Sequence, residues 1–285
     1  MKNKNFAVFI LSHGRPDNVI TYKTLKKLRY KGKIYIIIDN EDKTQKKYYK
    51  NFGNKVIIFD KKAIAKTFDA ADNFEDRRTI VYARNACFNI AKNLGITYFI
   101  QLDDDYDRFD YSFKKNLEYN TAHKPILSIN KVFNTLIDFY KNTNIKSIAM
   151  GQGGDFIGGK NSGLWKKKLK RKAMNSFICS VNRPFKFIGR INEDVNTYTR
   201  SASVGDLFFT TALLRLNQKE TQSSKGGMTD VYLSSGTYIK SFYTIMLMPS
   251  SVSINTMGIA HRRLHHRIKW NNTVPKIINE KYKKL

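Results

Sequence analysis

Three consecutive aspartates, Asp103, Asp104 and Asp105, follow directly on the apolar run from Thr97 to Leu102. Residues i and i+2 at a strand end point the same way, so Asp103 and Asp105 can face one ligand together. Carboxylates packed this closely repel one another unless a cation sits among them. Oxygen-only ligation suits Mg2+ or Mn2+, and such an ion held by one or two carboxylates completes its shell with phosphates and water. An acidic turn that merely caps the next element has no need of three carboxylates in a row.

Other residues with chemical potential fall at comparable places. Ser12, His13, Gly14 and Arg15 come just after the apolar run Phe6 to Leu11; the glycine permits close approach, and the arginine can fork onto phosphate. Asp39 closes a second apolar run, either accepting a hydrogen bond from a base or ribose or serving as an ordinary turn former. Arg84 sits in a stretch patterned for burial, as a solvated side chain or as a ligand contact. Neither G-x-G-x-x-G nor G-x-x-x-x-G-K-[ST] occurs, which argues against a dinucleotide site and a P-loop. Glu193 and Asp194 open an expected helix, where carboxylates suit the dipole anyway and a general base would look the same. His261 and His265, spaced i, i+4, can share a helix face toward a metal or a diphosphate; in so basic a run, a solvated cationic face accounts for them equally well.

These residues need elements to hold them. Phe6 to Leu11, Ile34 to Ile38, Val56 to Phe59 and Thr97 to Leu102 read as buried strands. Helices are expected between them: one from about Asp17 with Ile20, Thr24, Leu25 and Leu28 inward, one over about 43–52, and one from about Arg78 to Leu94, closed by Gly95. Such alternation is the signature of a parallel sheet with right-handed crossovers. Residues 60–77 read as a loop. The second half gives a helix near 125–142, a strand near Ile145 to Met150 and a long irregular stretch. Short strands follow over Phe177 to Val181, Phe185 to Ile188 and 206–214, then a basic segment from His261. No repeat or linker divides the chain, so one domain is expected, with 1–105 as a nucleotide-binding half and 106–285 as an acceptor-binding half.

At 285 residues, 41% hydrophobic and 26% charged, the chain can bury a substantial core. Its 51 Lys and Arg against 23 Asp and Glu leave a net charge of +28, which repels itself unless a polyanion or acidic surface relieves it. Nucleic acid is the leading partner, although a coding bias toward Lys, Asn and Ile would raise lysine equally. Trp165, Lys166, Lys167, Lys168, Lys170 and Arg171, together with Arg262 and Arg263, are the candidate DNA contacts, Trp165 being able to stack on a base. Cys87 and Cys179 lie in apolar or mixed stretches, which suits a reducing compartment. No run reaches the roughly 20 apolar residues of a membrane span, and the start lacks a secretory pattern. A cytoplasmic location is expected, the host's for a viral protein.

Four motifs in order, Ile10-Leu11-Ser12-His13-Gly14-Arg15, Tyr82-Ala83-Arg84-Asn85, Gln101-Leu102-Asp103-Asp104-Asp105 and Asn192-Glu193-Asp194-Val195, carry a resemblance over roughly residues 5–205. They resemble the GT-A fold of nucleotide-sugar-dependent glycosyltransferases, and more narrowly the TET/JBP-associated glycosyltransferases of phages and viruses. The resemblance implies an α/β, GT-A-like Rossmann-type sandwich with a mixed, mostly parallel central sheet flanked by helices. It implies a UDP-sugar donor with Mn2+ or Mg2+, Asp103 and Asp105 binding metal and ribose or diphosphate, and Ser12, Arg15, Asp39, Arg84 and Asp104 holding the nucleotide. Asp194, with Glu193 second, would take the acceptor's proton in an inverting reaction, and His261 or His265 would complete the metal shell. The acceptor would be 5-hydroxymethylcytosine or 5-hydroxymethyluracil in single- or double-stranded viral or phage DNA. Three other readings stay open: a glycosyltransferase acting on polysaccharide, lipid or protein, a nucleotidyltransferase, and a non-catalytic nucleic-acid-binding protein on this scaffold.

Overall fold

The computed structural model describes residues 5–72, 74–122, 124–166, 170, 172–218, 228–257, 262–275, 277 and 280, with 228–237 as backbone. The first half alternates as the sequence predicts: β1 (Phe6–Leu11), α1 (Ile20–Lys27), β2 (Lys33–Asp39), α2 (Gln45–Phe52) and β3 (Val56–Phe59). Next come α3 (Lys61–Ala65), α4 (Val81–Asn93) and β4 (Tyr98–Asp103). The short α3 falls within the expected loop 60–77; Asp60 caps it by accepting from the Ala63 amide at 2.9 Å. Along β1, Phe6, Val8 and Ile10 join one core while Ala7, Phe9 and Leu11 join the other. A strand covered on both faces reads as an unbroken apolar run.

The second half adds β5 (Tyr106–Tyr111), α5 (Ile129–Lys141), β6 (Ser147–Gln152), α6 (Gly163–Lys166), β7 (Ser176–Ser180), α7 (Glu193–Ser203) and β8 (Phe208–Gln218). It closes with α8 (Met228–Leu247), β9 (Val252–Met257), β10 (Arg263–Ile268) and α9 (Trp270–Thr273). Eight strands form one sheet in the order β3-β2-β1-β4-β7-β6-β8-β5, while β9 and β10 pair separately as an antiparallel hairpin. β7 runs antiparallel to β4 and β6, and β5 antiparallel to β8; the other neighbours are parallel. The sheet is therefore mixed and mostly parallel. Residues of α1, α2 and α5 pack into the core on one face, and those of α4 and α7 into the core on the other.

Two expectations need correction, and two elements are new. Phe185 to Ile188 is not a strand: the Phe187 amide donates to Asn85 Oδ1 at 2.8 Å and the Ile188 amide to Thr197 Oγ1 at 3.1 Å, so side chains take the place of a strand ladder. β5 and α8 went unrecognised in the sequence. His265 lies on the extended segment Arg263–Ile268 and not on a helix, and His261 lies outside the described residues.

β1, β2, β3 and β4 are mutually parallel and deliver their carboxyl ends to one edge, where Leu11 pairs with Asp103. Ligands of open α/β sheets bind at that edge. Among the described residues, no helix is long and apolar enough to cross a membrane.

Candidate active site

The loop after β1 and the acidic turn after β4 are locked together. Ser12 Oγ donates to Asp104 Oδ2 at 2.5 Å and lies 2.6 Å from the Tyr48 hydroxyl, which accepts from the Arg15 amide at 3.0 Å. Arg15 Nη2 meets Asp104 Oδ1 at 3.2 Å. Asp104 is 1% exposed, and burial, opposed by Arg15, pushes its carboxyl up to about 6. Ser12 and Asp104, expected on the nucleotide, thus use their side chains to pin two loops. Thr21 braces the same turn from α1, donating to the Asp103 carbonyl at 2.6 Å and accepting the Tyr106 amide at 2.9 Å.

At the end of β2, Asp39 accepts from His13 Nδ1 at 2.7 Å and faces Lys61 Nζ at 3.3 Å. Burial works against its ionisation, but His13 and Lys61 together outweigh it and hold the carboxyl below its ordinary value. The Gly14 amide donates to Asp42 at 2.7 Å. Lys61, Asp42 and Tyr48 were not anticipated; their contacts span tens of residues, beyond any local motif.

Arg84 is 2% exposed and bridges the two acidic motifs. Its Nε donates to Glu193 Oε1 at 2.9 Å and its Nη2 to Asp103 Oδ1 at 3.0 Å. The guanidinium lies over Phe177, 5.1 Å from the ring centroid. Burial opposes its charge, but Asp103 and Glu193 overcome that and keep it firmly protonated. Arg84 is therefore an internal brace rather than a solvated side chain. Burial also raises Asp103 against the pull of Arg84, and burial together with neighbouring Asp194 raises Glu193 to about 7.

Asp105 stands apart from these pairings. Its Oδ1 is buried with no hydrogen-bond partner, and burial, then Asp103 and Asp104, push its carboxyl up to about 7. An orphaned carboxylate oxygen beside two further carboxylates fits a divalent cation, which would relieve the repulsion and the desolvation at once. Among the described residues, no three His, Cys, Asp or Glu side chains form a ready cage.

The carboxylate pair is placed with equal care. Asn192 takes a left-handed conformation just before α7 (φ 56°), and its Nδ2 donates to the Lys240 carbonyl at 2.6 Å and to Thr244 Oγ1 at 3.3 Å, tying the helix start to α8. Asn196 Nδ2 donates back to the carbonyls of Ile188 and Ile191. Gly189 has φ +79°, and a Cβ there would stand 2.2 Å from Asn196 Nδ2. Gly189→Ala should therefore cost more than about 2 kcal/mol in chemical denaturation, since both backbone and packing must yield. Burial pushes Lys240 below its usual value against the attraction of Asp194, which places an unanticipated cation near the pair.

The remaining candidates divide. Burial and then Lys172, Lys240 and Arg263 push His265 down to about 4, which keeps its imidazole neutral near pH 7. Trp165 is half-buried and packs edge-on against Phe113, ring centroids 5.9 Å apart. Lys166, Arg262 and Arg263 are exposed, whereas Lys167, Lys168 and Arg171 lie outside the described residues.

The parallel sheet edge with its acidic turn, joined through a buried arginine to a second acidic pair, suits a glycosyltransferase. The chain belongs to the TET-associated glycosyltransferase family, whose sequence model matches residues 6–227. Among solved structures, it is similar to glucosyl-3-phosphoglycerate synthase from Mycobacterium tuberculosis. With Mn2+, UDP-glucose and phosphoglyceric acid the identity is 9%, covering 95% of this chain and 91% of that one, at a TM-score of 0.48. With Mg2+ and UDP the identity is 8%, covering 94% and 88%, at a TM-score of 0.46. No curated protein matches the sequence.

Proposed function

We propose that this glycosyltransferase moves a sugar from a UDP-sugar to the hydroxyl of a 5-hydroxymethylated pyrimidine in DNA, with inversion at the anomeric carbon and with Mn2+ or Mg2+. The observation that carries the donor half is the unpartnered, buried Asp105 Oδ1 at the tip of β4. Asp105 and Asp103 would hold the ion, which supplies Lewis-acid neutralisation of the departing diphosphate. Arg15 and Asp39 border the same edge and suit the phosphates and the ribose or base. The family and the +28 charge support a DNA acceptor.

Asp194 takes the proton from the acceptor hydroxyl as its oxygen bonds to the anomeric carbon and the bond to the diphosphate breaks, releasing UDP. Glu193 is second choice, because its Oε1 is committed to Arg84. Asp194→Asn should lower kcat by about 10²- to 10⁴-fold, the scale of a lost general base, while leaving the melting temperature near wild type.

The decisive experiment incubates the protein with Mn2+, a panel of UDP-sugars, and DNA containing 5-hydroxymethylcytosine or 5-hydroxymethyluracil beside unmodified DNA, then weighs the nucleosides. A sugar mass only on the hydroxymethylated base supports the reading. UDP-sugar hydrolysis with unmodified nucleosides moves the acceptor to polysaccharide, lipid or protein, and no turnover with any donor favours a binding protein.

A further inference from the structure

A groove of about 680 Å³ runs between the end of α6 and the corner joining β10 to α9. Lys166, Lys170, Arg267, Lys269 and Trp270 line it, and among the described residues its lining holds no carboxylate. Two basic stretches a hundred residues apart meet here, Lys170 Nζ donating to Asn271 Oδ1 at 3.1 Å. On β10, alternation sets Arg263, His265 and Arg267 on one side, while His266 and Ile268 turn inward and are buried. Alternate strand residues are about 6.6 to 6.8 Å apart, a step that successive phosphates of an extended nucleic-acid strand can follow.

The groove is coupled to α7. Trp270 stacks on Tyr198, ring centroids 6.3 Å apart and planes 7° apart. Tyr198 follows Asp194 by four residues, one turn along the same helix face. A polymer seated in the groove therefore lies beside the helix that carries Asp194.

We propose that this groove binds the sugar-phosphate backbone of the acceptor strand, Lys166, Lys170, Arg267 and Lys269 meeting phosphates and Trp270 meeting a base or sugar, and so guides the target nucleotide toward Asp194. The inference rests on the DNA-acceptor reading and adds the place of binding. A concave site with an aromatic wall suits a strand rather than a flat bilayer.

The test measures binding of a labelled single-stranded oligonucleotide containing 5-hydroxymethylcytosine at several salt concentrations, with melting temperatures as a fold control. Lys170→Glu/Arg267→Glu, and separately the exposed pair Lys166→Glu/Lys269→Glu, should weaken binding at least about tenfold. Each should make the slope of log K against log salt shallower by about 1.4, or roughly 0.7 for each lost phosphate contact. Lys27→Glu/Lys131→Glu makes the same charge change on exposed residues of α1 and α5, across the sheet, and should weaken binding less than about threefold. Groove pairs that bind like this control, while wild type binds tightly, overturn the groove and leave the DNA acceptor standing. Wild type that turns over UDP-sugar but fails to bind the oligonucleotide overturns both. Groove-dependent binding to phosphatidylserine vesicles in place of the oligonucleotide overturns the assignment of the partner.

Discussion

Asp105→Asn is expected to lower sugar transfer by about a thousandfold, the upper scale for removing one preorganised electrostatic group, while making the metal-free protein more heat-resistant. Both effects come from the same buried oxygen. Asp105 titrates near 7 in the folded chain but near 3.9 when unfolded. Between those values the folded state holds a proton that the unfolded state has released, so stability falls as pH rises from about 4 to about 7 and levels off above. Asp104 and Glu193, raised to about 6 and about 7, act with the same sign. The pH slope of the melting temperature in EDTA should therefore shrink in the variant without vanishing. A gain of about 1 kcal/mol, roughly 2 to 4 °C, is expected at pH 8. Mn2+ should raise the melting temperature of wild type and not of Asp105→Asn; an active variant would remove Asp105 from the ion site.

Replacing Arg84 should damage the fold most. Arg84→Met strands Asp103 and Glu193 without their shared cation in the interior, and breaking a buried pair by removing one partner costs about 3 to 5 kcal/mol. Urea denaturation reads this directly, and transfer should disappear as both acidic motifs shift. Arg84→Lys keeps the charge but loses the fork that reaches Glu193 through Nε and Asp103 through Nη2, so it should fall between the two. Adding Glu193→Gln to Arg84→Met removes one stranded carboxylate and should recover part of the loss in a double-mutant cycle. Simple additivity would contradict the bridge.

The residues that reveal themselves in sequence are those whose surroundings are local. β1 to β4 show as apolar runs because both faces of each are covered, and Asp103 to Asp105 stand out because three adjacent charges need a reason. β5 escaped notice because Asp107, Arg108 and Asp110 interrupt its apolar pattern; Asp110 is buried, and Arg108 and Arg215 face it. Phe185 and Phe187 mimic a strand through their spacing, yet they are aromatic plugs packed on Phe88 and Phe177. Of the two tryptophans, Trp165 has the lysine run beside it in sequence, whereas Trp270 lines the basic groove. The Ser12–Asp104 lock and the Arg84 bridge join residues 92 and 109 positions apart, separations that no single sequence displays.

The family match ends at residue 227, and α8, the β9–β10 hairpin and α9 come after it. Among the described residues, the hairpin shares no ladder with the main sheet. Arg190 with Tyr243, Asn192 with Thr244, and Tyr198 with Trp270 are the rivets along the seam. Each joins the matched part of the chain to the part beyond it, so a change at Tyr243, Thr244 or Trp270 is felt at α7 or just before it, the helix that opens with Glu193 and Asp194.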